Sequence, residues 1–117
     1  MPARLLRIAF WAALLFALVM ALLPKPPQIP GSPSDKLQHI AAFAVLSALA
    51  AAAYRSTPLL RLGILLSLFG AAIELLQLIP PLHRDGNLLD WLADSASITA
   101  VLALAALARK QGWTARF

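Results

Sequence analysis

Four apolar runs, separated by short clusters of proline, glycine, serine and charged residues, organise this chain. The first extends from about Leu5 to Leu23 and stops at Pro24, Pro26 and Pro27. The second covers about Leu37 to Tyr54, the third about Leu59 to Ile79 between Pro58 and Pro80, and the fourth about Leu88 to Ala108. Each approaches the length of about 20 apolar residues that an α-helix needs to cross a bilayer. Proline at the edges fits helix boundaries, because an interior proline removes a backbone hydrogen bond and collides with the preceding turn. The pattern predicts an all-α membrane protein of four transmembrane helices. A cleavable leader ending near Val19-Met20-Ala21 competes for the first run, but that run exceeds the apolar core of about 7 to 15 residues usual in leaders. A retained span is the expectation.

Composition agrees with this reading. With 61% hydrophobic and 13% charged residues, the chain falls well below the charged content of about 25% in soluble domains. No separate soluble domain is expected. The absence of cysteine excludes disulfides, thiolate metal sites and cysteine nucleophiles. A net charge of +5 in a soluble protein would point to nucleic acid, but here the basic residues sort by loop. With both termini cytoplasmic, Arg4, Arg7, Arg55, Arg61, Arg109, Lys110 and Arg116 lie inside, and Lys25, Lys36 and Arg84 lie outside. That is the positive-inside bias. The expected setting is therefore the bacterial cytoplasmic (inner) membrane, with the lipid bilayer as partner and no nucleic acid.

This orientation gathers all 5 acidic residues, Asp35, Glu74, Asp85, Asp90 and Asp94, at the outer end. Counting along the helices at about 1.5 Å per residue puts His39, Glu74 and Asp94 in one layer roughly 9 to 10 Å from the helix ends. Asp35, Lys36, Gln77 and Asp90 form a shallower layer, and His83, Arg84 and Asp85 occupy the loop above. Within each helix the polar residues lie three or four apart, as in Asp35/His39, Glu74/Gln77 and Asp90/Asp94, so each pair shares a face. Ionisable groups are costly in hydrocarbon and usually turn toward one another or toward water.

Plainer roles compete for several of these residues. Ser32-Pro33-Ser34-Asp35 suits a helix start with Asp35 as a capping residue, and Asp90 sits where a carboxylate complements a helix N-terminus. Lys36 and Arg84 suit headgroup anchoring. For His39, Glu74 and Asp94, a hydrogen-bonded trio that locks packing competes with a ligand, proton or metal site. No HExxH or related signature is present, so neither a metal nor another cofactor is expected. Ser95 and Ser97 lack the glycine-framed turn of a nucleophilic serine.

The segment Asp35-Lys36-Leu37-Gln38-His39, then Glu74-Leu75-Leu76-Gln77, Arg84-Asp85-Gly86-Asn87 and the acidic start of the last run at Asp90 and Asp94 together resemble the VanZ-like family of small bacterial membrane proteins. The resemblance covers most of the chain after Asp35. It divides the sequence into a first transmembrane helix and outer loop (1–34), a VanZ-like helical core (35–108) and a basic cytoplasmic tail (109–117). Where the family commonly has Asn followed by glycines, this chain has Asp94-Ser95-Ala96-Ser97. Small residues are kept, but a carboxylate is added. The resemblance implies a cell-envelope setting associated with resistance to the glycopeptide teicoplanin, without a settled reaction.

The expected site is an outward-facing polar pocket with His39, Glu74 and Asp94 at its floor and Lys36, Gln77, Arg84 and Asp90 at its mouth. Its expected ligand is an envelope lipid or lipid-linked precursor, or a glycopeptide. Two other classes stay open, so catalytic residues are not assigned. One is a membrane-surface enzyme using Glu74 or His39 as acid or base; the other is a scaffold that packs its alanine-rich second helix on a partner or on a second copy in a homo-oligomer.

Overall fold

The structure, a computed structural model, describes residues 2–23, 35–78 and 88–111, with residues 35 and 36 described in the backbone only. It contains four helices: α1 (Ala3–Leu22), α2 (Asp35–Ala53), α3 (Leu59–Leu76) and α4 (Leu88–Lys110). Of these, α1, α3 and α4 are long and apolar enough to cross a membrane, whereas the apolar stretch of α2, Leu37–Ala53, is shorter.

Local chemistry sets the boundaries. Pro2 and Pro58 stand just before α1 and α3, and their carbonyls accept the first helical bonds, from Leu6 at 3.2 Å and Leu62 at 3.2 Å. Proline is harmless there because the first amides of a helix have no intrahelical partner to lose. The third helix was expected to reach Ile79 but ends at Leu76. Gln77 still closes on the Ile73 carbonyl at 2.9 Å, and Leu78 then turns back to Leu75 at 3.2 Å, tightening the last turn. The fourth helix continues past Ala108 to Lys110.

The helices alternate in direction. Contacts between Gln77 and Ala21 tie α3 to α1 at one end, and Arg7 and Arg109 meet the end of α2 at the other. Helix α2 is central, packed against α1 and α4 with α3 beside it. Its Phe43, Leu46, Ala50, Ala51 and Ala53 are buried. Small side chains let helix backbones approach closely in lipid, and Ala50, Ala51 and Ala53 are consumed by contacts inside the chain. Ala41 and Ala48 remain exposed. Outside, the bundle is apolar: Phe16, Leu60, Leu75 and Leu104 are all at least 66% exposed. So large an exposed apolar surface requires lipid or a partner to cover it. Together with three helices of spanning length, it marks an integral membrane protein.

The end of α2 is held by arginines from its neighbours. The last carbonyls of a helix lack intrahelical donors, and α2 has no basic residue in its last turn. Arg109 of α4 donates to the carbonyls of Ala51 (3.1 Å), Tyr54 (3.1 Å) and Thr57 (2.8 Å). Arg7 of α1 donates to the Ala53 carbonyl at 3.2 Å and lies over the Tyr54 ring, 4.9 Å from its centroid. Trp11 completes the cluster by donating to the Tyr54 hydroxyl at 2.8 Å. These arginines cap a helix from neighbouring helices.

Replacing Arg109 with Ala is expected to lower unfolding stability by about 1.5 to 3 kcal/mol, the range for hydrogen bonds to a charged group. Arg109→Lys recovers only part of the loss, because an ammonium lacks the planar fork that spans three carbonyls. Unfolding in mixed micelles monitored by helical circular dichroism measures both.

Candidate polar site

His39, Glu74 and Asp94 come together from three helices. His39 Nδ1 lies 3.6 Å from Glu74 Oε1 and 3.6 Å from Asp94 Oδ2. His39 sits on the fifth residue of α2, Glu74 two residues before the end of α3, and Asp94 in the second turn of α4. Antiparallel alternation puts those positions at one end of the bundle. The layer read from residue counting forms, although α3 ends early and Glu74 is nearer its helix terminus than expected.

Burial is deep. Asp94 is 0% exposed and Glu74 7% exposed. Neither Asp94 oxygen accepts a hydrogen bond from the described residues, and 3.6 Å to His39 is longer than a hydrogen bond of about 2.7 to 3.2 Å. A carboxylate without hydrogen bonds in an apolar interior is costly. Two carboxylates also face a single imidazole. The group is therefore poorly explained as a packing device. It offers a proton donor and acceptor set, and three ligand atoms within 4.8 Å of one another.

Gly70 makes room for this arrangement. It precedes Glu74 by four residues on the same face of α3, and a Cβ built on it would stand 3.4 Å from both Asp94 Oδ2 and Phe43 Cζ. Around the cluster, polar bonds join the helices: Ser97 Oγ donates to the Ile40 carbonyl at 2.9 Å, Ser67 and Ser95 share a hydroxyl bond at 2.9 Å, and Trp91 donates to the Ser67 carbonyl at 3.0 Å. The indole N–H of Trp91 thus ties α4 to α3.

The residues expected at the mouth fare differently. Gln77 is buried, and its amide donates to the Ala21 carbonyl at 2.9 Å. It closes the end of α1, because Ala21 is among the last carbonyls of that helix, and is turned away from a mouth role. Asp90 lies buried in the first turn of α4, where a carboxylate complements the helix N-terminus. The side chains of Asp35 and Lys36, together with His83, Arg84, Asp85, the 24–34 loop and the 112–117 tail, lie outside the described residues.

One feature absent from the sequence reading is a groove of about 610 Å³ between α1 and α2. Ala13, Ala17 and Ala21 of α1 and Ala41 and Ala42 of α2 line it, with Ile73 behind and His39 at its wall. The three α1 alanines recur every fourth residue, the signal that could have revealed it. The groove occupies the half of the bundle that holds the carboxylates and is almost wholly apolar apart from Gln38 and His39.

Comparison with protein-family models, with curated proteins and with solved structures finds no match to this chain.

In chelator-containing buffer, Asp94→Asn is expected to melt at or above the wild-type temperature, by up to about 3 kcal/mol, because it removes an unbonded buried charge and leaves a one-to-one His39–Glu74 pair. A clear loss of stability would instead make Asp94 a packing element. Gly70→Leu, which pushes a side chain into the space of Asp94 and Phe43, should cost about 1 to 3 kcal/mol in the same assay.

Proposed function

We propose that this is a VanZ-like protein of the bacterial cytoplasmic membrane, with four spans and both termini cytoplasmic, that binds or alters a lipid-linked component of the cell envelope at its outer end. The observation carrying this reading is the junction of an apolar groove with a buried ionisable cluster: the groove of about 610 Å³ has His39 in its wall, and His39 lies 3.6 Å from each carboxylate. A groove lined by alanine, phenylalanine and leucine suits a hydrocarbon tail. The cluster at its edge suits the polar group that joins tail to headgroup. Lys25, Lys36 and Arg84 are the basic residues nearest this end in sequence, and guanidinium binds phosphate or carboxylate bidentately. A link to glycopeptide (teicoplanin) resistance belongs to this proposal through the resemblance alone.

A second reading is supported by the same three side chains. An imidazole reached from the groove and flanked by two carboxylates can exchange a proton with a bound substrate, which is what a membrane-embedded acid–base enzyme requires. The scaffold reading has less support, since Ala50, Ala51 and Ala53 of the alanine-rich helix already face their own chain.

Ala41 is exposed and lines the groove, so Ala41→Trp fills it without entering the core. Protein extracted into lipid nanodiscs with its native lipids should carry a co-purifying isoprenoid or acyl-linked envelope lipid, lost at least 5-fold in Ala41→Trp and retained in Leu68→Trp on the exposed face of α3. Equal retention in both variants rules out groove binding. Incubation of the wild type, but not Glu74→Gln, with lipid-linked precursors yields a new product only on the enzyme reading.

A further inference from the structure

We infer that His39, Glu74 and Asp94 form a binding site for one divalent transition-metal ion of the zinc or manganese class. The inference concerns the same cluster as the proposed function but stands or falls separately from lipid binding. Its first support is spacing. His39 Nδ1 is 3.6 Å from Glu74 Oε1 and from Asp94 Oδ2, and one ligand atom from each of the three residues lies within 4.8 Å of the others. Such distances are too long for mutual hydrogen bonds. They approach the edge of a coordination tetrahedron, about 3.4 Å when the metal–nitrogen and metal–oxygen bonds are about 2.0 to 2.1 Å.

Independent support comes from Asp94 itself. It is 0% exposed, points at His39 Nδ1, and accepts no hydrogen bond on either oxygen from the described residues. Buried charges are normally paired or coordinate metals. One imidazole and two carboxylates suit zinc or manganese better than copper, which favours softer or more nitrogen-rich sets. Three protein ligands also leave a coordination position open. His39 lines the groove, so that position is within reach of a water or a headgroup oxygen entering from it. The spacing of the ligands in sequence hides this site, because each comes from a different helix.

The full chain in nanodiscs, stripped with chelator and dialysed against Zn²⁺ or Mn²⁺, should retain close to one ion per chain by elemental mass spectrometry. Binding should fall at least 10-fold in His39→Ala and in Asp94→Asn, and Glu74→His, which keeps a ligand, should still hold zinc where Glu74→Gln does not. Helical circular dichroism and a single gel-filtration peak qualify each variant, and added ion should raise the wild-type melting temperature but not that of Asp94→Asn. Less than 0.2 ion per chain in the wild type, or equal retention in His39→Ala and Asp94→Asn, overturns the inference. A negative metal result beside a lipid displaced by Ala41→Trp leaves the lipid-binding proposal intact.

Discussion

A pair of carboxylates and one imidazole shut inside an apolar bundle is the constraint on which this structure turns. In hydrocarbon, such groups can only be tolerated if they face one another, and facing one another requires α2, α3 and α4 to meet at a single level. Phe43 on α2, Gly70 and Ile73 on α3 and Ile98 on α4 then pack around that meeting point. Gly70 borders this point, since a Cβ there would already touch Asp94 and Phe43 and a longer side chain would press on both. An interior that holds unsatisfied charge at the crossing of three helices resembles a working site more than a stabilising one, because apolar residues of similar volume would hold the helices together at lower cost.

The opposite end solves a different problem with the opposite charge. Helix α2 is the shortest apolar segment and stops at Ala53, leaving terminal carbonyls without intrahelical donors. Arg109 and Arg7 reach them from α4 and α1. Both also bring positive charge to the negative end of the helix dipole. The bundle is thus pinned by cations where α2 ends and organised by anions where it begins. Between these two ends, hydroxyl and indole bonds from Ser67, Ser95, Ser97 and Trp91 join the helices at intermediate depth.

The proposed proton exchange, lipid contact and ion binding all converge on His39 for one geometric reason. It is the member of the cluster that also lines the apolar groove. Asp94 is sealed from solvent, and Glu74 is nearly so. Access to either carboxylate from that groove therefore runs past the imidazole. A groove lined by alanine with an imidazole in its wall is, under the proposed function, open to molecules that already reside in the bilayer.

Much of this was legible from residue order. Apolar runs broken by proline predicted four helices, and pairs three or four apart predicted that His39, Glu74 and Asp94 would each project from a polar stripe, because helical periodicity is a property of the chain alone. The common layer followed from counting residues along antiparallel helices. What the chain alone left open was rotation and partnership. Gln77 shares a stripe with Glu74, yet its amide turned to the end of α1 and closed a carbonyl there. Arg109 read as a topology signal, yet its guanidinium caps a helix more than 50 residues away in sequence. The groove exists only because α1 and α2 lie side by side with small residues facing. Local periodicity and hydrophobicity are written in consecutive residues, whereas which orphan carbonyl meets which donor, and which two carboxylates stand 3.6 Å from one imidazole, depends on how separate helices rotate against one another to bury their polar groups.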